Sequence, residues 1–233
     1  MERRDTDKTD HYNSDSTNPR RAAGFSLAAC ASMAETHESR PAMNAMSHDQ
    51  WIAAAMATVA SYRRMIDGAI SQLSDAELFV RPREDLNSVA IILRHLGGNL
   101  LSRWTDFLTT DGEKPDRNRD QEFMDWDGDR ESLQASFNSG WDALTNAIKQ
   151  IDETTIDRPV FIRGEQHSVA EALMRSLTHL SYHVGQIALI ARLVHEGEWR
   201  WLTIPPGNSA QHNRQTWGTA ASRGVFGDGT AAT

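Results

Sequence analysis

Three times this chain places Ser-x-x-Gln or Ser-x-x-Glu directly ahead of an apolar run: Ser47-His48-Asp49-Gln50, Ser74-Asp75-Ala76-Glu77 and Ser168-Val169-Ala170-Glu171. In such a capping box the serine side chain accepts from the backbone N–H of the third helical residue. That residue's side chain accepts from the serine N–H in return, so two orphan donors are satisfied at once. The pattern fixes where helices begin. After Ser47, Ile52, Met56, Val59, Met65, Ile66 and Ile70 recur at helical spacing, which predicts a helix over about 48–72. The second box predicts a short helical turn that Arg81-Pro82 ends, because the residue before proline resists the helical region.

Two further periodic runs lie between the second and third boxes. One, from Ser88 to about Thr109, carries Val89, Ile92, Leu93, Leu96, Leu100 and Trp104. The other, over about 129–150, carries Leu133, Phe137, Trp141, Leu144 and Ile148. Asp111–Asp127 between them is polar, holds Pro115 and Gly112, and reads as a long loop of the functional or crossover kind. Val160-Phe161-Ile162 and Gln166-His167 flank Gly164-Glu165 and predict at most a small hairpin. The third box opens a helix running to about His195, with Gly197 at the expected C-terminal position. Thr203–Asn208 reads as extended. Four long helices with mixed connections predict an all-α, four-helix bundle with a small hairpin before its last helix.

Composition bounds the function. Thirty-two acids against 24 bases give a net charge of −8, which disfavours a general nucleic-acid binder. One cysteine excludes an intrachain disulfide framework and a Cys-rich zinc motif. No apolar run reaches the roughly 20 residues of a membrane span. Residues 1–46 lack any apolar period and read as a disordered tail, 47–217 as the bundle domain and 218–233 as a flexible C-terminal tail. The apolar stretch near Arg20–Cys30 is too short, and its leader too acidic, for an export signal, so a cytoplasmic protein is expected.

The nine histidines are then the place to look for chemistry. His179 and His183 lie four apart within the last long helix and so share one face. That spacing suits two imidazoles closing on one divalent metal, and equally a packed or solvated pair. Arg175 and Gln186 fall near the same stripe. His95 sits among Ile91, Ile92, Leu93 and Leu96, with Asn99 one turn on. A lone histidine there reads as a core residue, or as a third ligand facing the pair across the bundle. Three imidazoles leave a coordination position free for water or substrate. Gly97-Gly98 costs about 2 kcal/mol of helix propensity, which implies close packing or room for a substrate. Gly185 in mid-helix suggests a close approach by another helix or a ligand.

Other residues have plainer readings. His167 reads as a hairpin histidine and His195 as a solvated one favouring the helix dipole. Arg94 and Arg103 read as solvated helix arginines that would otherwise attract an acidic substrate. Asp125, Asp127 and Asp129 lack the glycine and closing glutamate of a calcium loop and read as a helix start. The seven tryptophans read as core and interface packing.

The segments SDAELFVRPREDLNSVAIILRHLGGNLLSRWTDFL, SVAEALMRSLTHLSYHVGQI and WLTIPPGNSAQHN resemble the DinB superfamily, also called DinB/YfiT-like. Within it they are most similar to a branch of small proteins of undetermined function. The resemblance spans about residues 47–217. It implies a four-helix bundle, a homodimer and a metal held by three histidines, a pattern that falls on His95, His179 and His183. Characterised members of other branches include transferases that use low-molecular-weight thiols such as bacillithiol or mycothiol, and a mycothiol-dependent maleylpyruvate isomerase.

The expectation is therefore a cytoplasmic homodimer with a three-histidine site for zinc, nickel or iron. It would act as a thiol-dependent S-transferase or hydrolase on small electrophiles. Asn99, Arg175 and Gln186 would contact the substrate or support the imidazoles. Metal affinity would fall near pH 6.5, where free histidine protonates. The alternatives are a non-enzymatic metal-binding stress or interaction protein, and a plain structural bundle with packed histidines.

Overall fold

In a computed structural model of the chain the described residues are 46–217. The two expected tails, Met46 apart, and the stretch near Arg20–Cys30 lie outside them. Four long helices form the body: α1 (His48–Ile70), α3 (Val89–Trp104), α5 (Arg130–Ile148) and α6 (Val169–Val194). Shorter helices α2 (Asp75–Phe79), α4 (Arg119–Glu122) and α7 (Ser209–Trp217) decorate it. The fold is all-α apart from one antiparallel hairpin, β1 (Pro159–Ile162) and β2 (Glu165–Ser168), which leads into α6.

All three capping boxes form. Gln50 N, Glu77 N and Glu171 N donate to Ser47, Ser74 and Ser168, and each partner side chain accepts the serine N–H. Glu77 also works at long range: its Oε1 accepts from Glu196 N at 2.8 Å and His195 Nδ1 at 3.1 Å, tying the start of α2 to the end of α6. Ser74 first, then Glu196, hold the Glu77 carboxyl down to about 2. His195 is thus bonded and half-buried, where a solvated residue was expected.

The core lies where four apolar stripes meet. α3 packs chiefly on α5 and α1 on α6, while α3–α6 and α1–α5 contacts close the ring. Leu93, Leu96, Leu100, Leu133, Phe137, Leu144, Leu173 and Leu180 are fully enclosed. Each such side chain contributes roughly 2 kcal/mol of burial. Glycine makes the closest crossing possible: a Cβ on Gly97 would sit 3.0 Å from Phe137 Cα and Ser136 O, and one on Gly140 would strike the Gly97 carbonyl. Gly98 faces the other way, and a Cβ there would strike the Glu122 carboxylate. Gly185 differs from expectation, since open space surrounds it.

The long polar connection is ordered around α3. Ser102 Oγ donates to Gly112 O at 3.1 Å and accepts from Lys114 N at 2.9 Å. The Asp111 carboxylate accepts from Arg163 N and Gly164 N, both at 2.8 Å. Those two residues turn the hairpin with φ of 56° and 76°, the left-handed pair a two-residue hairpin turn requires. The hairpin is thereby clamped to the loop, and Arg163 is delivered beside the histidines. Asp129 caps α5 by accepting from Ser132 N at 2.8 Å, in keeping with a helix start. The C-terminal α7 was not expected, because its polar sequence carries no apolar stripe.

Candidate metal centre

His95 on α3 faces His179 and His183 on α6. His95 Nε2 lies 3.2 Å from His179 Nε2, and His183 Nε2 lies 3.1 Å from the same atom. The two α6 histidines meet because residues four apart stack on one helix face. His95 joins them because α3 packs on α6. The cluster is largely buried, with His95 4% and His183 6% exposed.

The outer nitrogens decide what the inner ones can do. His95 Nδ1 donates to Glu122 Oε2 at 2.8 Å, and His183 Nδ1 donates to Gln186 Oε1 at 2.8 Å. Gln186 is oriented in turn, its Nε2 donating to Tyr182 Oη at 2.9 Å. With their protons held at Nδ1, His95 and His183 turn Nε2 lone pairs inward. A proton on His179 can offset only part of the repulsion among three such nitrogens, whereas a cation satisfies all three together. Tetrahedral zinc with bonds of about 2.05 Å separates its nitrogen ligands by about 3.3 Å, close to the spacing found here. The donor set therefore fits a divalent ion, and these three are the cluster of suitable ligands among the described residues.

Electrostatics point the same way. Burial, then the positive surroundings of His183, His95, Arg103 and Arg117, push His179 down to about 3. Burial and His95 push His183 down to about 4 against the Gln186 bond. Both are neutral at physiological pH, the form that binds metal.

Glu122 anchors the His95 side. Arg117 grips it with Nε on Oε1 at 2.8 Å and Nη2 on Oε2 at 2.7 Å, and also donates to Glu113 at 3.0 Å. Burial works to raise the Glu122 pKa, but the His95 and Arg117 bonds outweigh it and keep it ionised. Glu122 and Arg117 lie in the stretch that reads as loop. The one local sign of order is Asn118-x-x-Gln121, where Asn118 Oδ1 accepts from Gln121 N at 3.2 Å and starts α4.

A cleft of about 170 Å³ opens beside His95 and His179. Asn99, Arg175 and Ser176 line it, with Arg103, Arg117, Arg119 and Arg163. Of the three residues expected at the substrate, Asn99 and Arg175 thus reach the cleft, and Gln186 lies behind His183. Arg103 is only 9% exposed, which corrects the view of it as a solvated arginine. Arg94 reaches Met124 O at 3.3 Å and lies over the Trp126 ring, away from the cleft. His167 is on the hairpin and His195 at the far end of α6, so neither joins the cluster.

A DinB-like protein of Bacillus subtilis, YjoA, has a crystal structure similar in part, with a TM-score of 0.47 and 12% identity. The match covers 64% of this chain and 96% of that one. No curated protein matches the chain significantly. A family model described as "Protein of unknown function (DUF1572)" matches residues 46–208, from the first capping serine's neighbour to the turn before α7. By that match, which takes in the whole bundle and all three histidines, the chain belongs to the DUF1572 family.

Proposed function

We propose that His95, His179 and His183 hold one divalent ion through their Nε2 atoms, with a coordination position open to the arginine-lined cleft. The observation that carries this is the pair of short Nε2–Nε2 distances combined with Nδ1 atoms already committed to Glu122 and Gln186. Zinc, nickel and iron all suit neutral imidazoles. Bound there, a divalent ion supplies a Lewis acid that favours the ionised form of a thiol or water.

The chain's own groups favour a thiol. No carboxylate lines the cleft among the described residues, so a general base for water is lacking at hand. A thiol, with a pKa near 8.5, ionises far more readily than water. Glu122 and Gln186 fix the rings, Asn99 and Ser176 offer hydrogen bonds, and the arginines set the polarity. The reaction class this supports is thiol-dependent S-transfer to a small electrophile, with hydrolysis next. The test is metal content per chain, followed by a screen of low-molecular-weight thiols against 1-chloro-2,4-dinitrobenzene. Metal with no turnover against any thiol would leave a non-enzymatic metal-binding interaction protein.

That second reading has one observation behind it. Met174, Tyr182, Leu189 and Leu193 on α6 are exposed, and a largely apolar groove of about 620 Å³ runs between α1 and α6. We assign this face to a homodimer, and sedimentation should then give twice the 26.0 kDa chain mass. We further take residues 47–217 as the folding domain of a cytoplasmic protein. Deleting 1–46 should leave the melting temperature unchanged.

A further inference from the structure

The arginines beside the histidines are not equivalent. Arg117 is paired with Glu122 and Glu113, Arg163 shares Glu113 at 3.3 Å, and Arg119 lies over the Phe123 ring at 4.8 Å. Arg103 is different. It lies eight residues after His95 on α3, two turns along the same face, with Asn99 between them. It is nine-tenths buried and forms no ion pair or side-chain hydrogen bond among the described residues. Its Nη1 is fully enclosed without a partner.

A buried cation without a counter-ion is costly and persists where something else repays it. Burial pushes Arg103 down to about 10, and the like charges of Arg175, Arg117 and Arg163 add to this against the pull of Glu113. It is still protonated at neutral pH. Arg175, also without an ion pair among the described residues, stands exposed at the same cleft. Ser176 Oγ accepts from Trp104 Nε1 at 3.1 Å, which leaves its own proton free to be donated. A chain of net charge −8 has thus gathered five arginines around about 170 Å³ of space, and among the described residues no carboxylate lines it, Glu122 and Glu113 being bound to Arg117 and Arg163.

We infer that this cleft binds the oxyanion of an acidic small molecule, a carboxylate or a phosphate, with Arg103 as its buried counter-ion and Arg175 at the mouth. The volume suits a group of malonate or phosphate size. The inference deepens the metal reading and rests on it only for the position of the reacting centre. The anion contacts belong to α3 and α6 themselves.

The experiment is calorimetric titration of the full-length protein with malonate and with inorganic phosphate, in zinc-loaded and chelator-stripped forms. Zinc content is measured on the same samples. At least one anion should bind saturably, at one per chain, in both forms. Arg103→Met should weaken that binding by about tenfold or more, as for loss of a charge-assisted hydrogen bond, with zinc content retained. Arg103→Lys should lose less, and Arg175→Gln, at an exposed position, should weaken it by about threefold. Preference for malonate or for phosphate identifies the oxyanion. Absence of saturable binding by both, or binding unchanged in Arg103→Met or Arg175→Gln, would overturn the inference. Binding only in the zinc form, indifferent to Arg103, would mean the ion alone holds the anion and would also overturn it. Anion binding without zinc uptake would refute the metal reading and leave the anion site standing.

Discussion

His95 Nδ1 and Glu122 Oε2 lie 2.8 Å apart, both nearly buried, in a chain where 27 residues separate them. The carboxylate has room because residue 98 is glycine. It stays ionised because Arg117 grips both its oxygens. This contact fixes the His95 tautomer and so aims its Nε2 at the other two imidazoles.

Removing the carboxylate should therefore weaken metal binding without touching a ligand. Glu122→Ala should lower affinity about 10–100-fold, read by competition with a chromogenic chelator. It also strands Arg117, and breaking a buried pair costs about 3–5 kcal/mol, read from urea unfolding. Wild-type affinity in this variant would show that Glu122 does not position His95.

The glycines make opposite predictions at similar helical positions. Gly97→Ala gains about 1 kcal/mol of helix propensity but drives its Cβ to 3.0 Å from the backbone at Ser136 and Phe137. Backbone cannot yield as a side-chain tip can, so a net loss of about 1–3 kcal/mol is expected. Gly185→Ala meets nothing within 4 Å and should gain up to about 1 kcal/mol. Chemical denaturation midpoints of the two variants check both signs.

Stability of the metal-free protein should fall with acidity. His179 and His183 titrate at about 3 and about 4 in the fold, below the ordinary 6.5. Between those values the unfolded chain holds protons the native one refuses, so stability is full above about pH 6.5 and is lost as pH falls toward 4. Each histidine contributes a slope of up to about 1.4 kcal/mol per pH unit. Urea midpoints at pH 7 and pH 5 in chelator should differ in the wild type and differ less in His179→Gln.

What could be read from the sequence is what depends on local spacing. The three capping boxes, the four apolar stripes and the stacking of His179 on His183 all involve residues three or four apart, and each is present in the structure. Glu122 and Arg117 were hidden because they belong to the two commonest charge classes and sit in a stretch without apolar period. Only a contact across 27 residues selects Glu122. Arg103 looked solvated because nothing in α3 buries it; Gly112, brought back by the loop, lies against its side chain. His195 is bonded to Glu77 across 118 residues, a pairing no periodicity reveals.

The central claim is a single ion on three histidines, and metal stoichiometry across five alanine variants tests it most directly. Wild-type protein, His167→Ala and His195→Ala should each carry one ion per chain after zinc loading and desalting. His95→Ala, His179→Ala and His183→Ala should lose it nearly completely, while their far-ultraviolet circular dichroism remains helical. The wild type should also gain stability on adding zinc, since a ligand of the folded state alone adds RT ln(1 + [L]/Kd), and the three ligand variants should not. Full metal at wild-type affinity in His95→Ala would contradict the account.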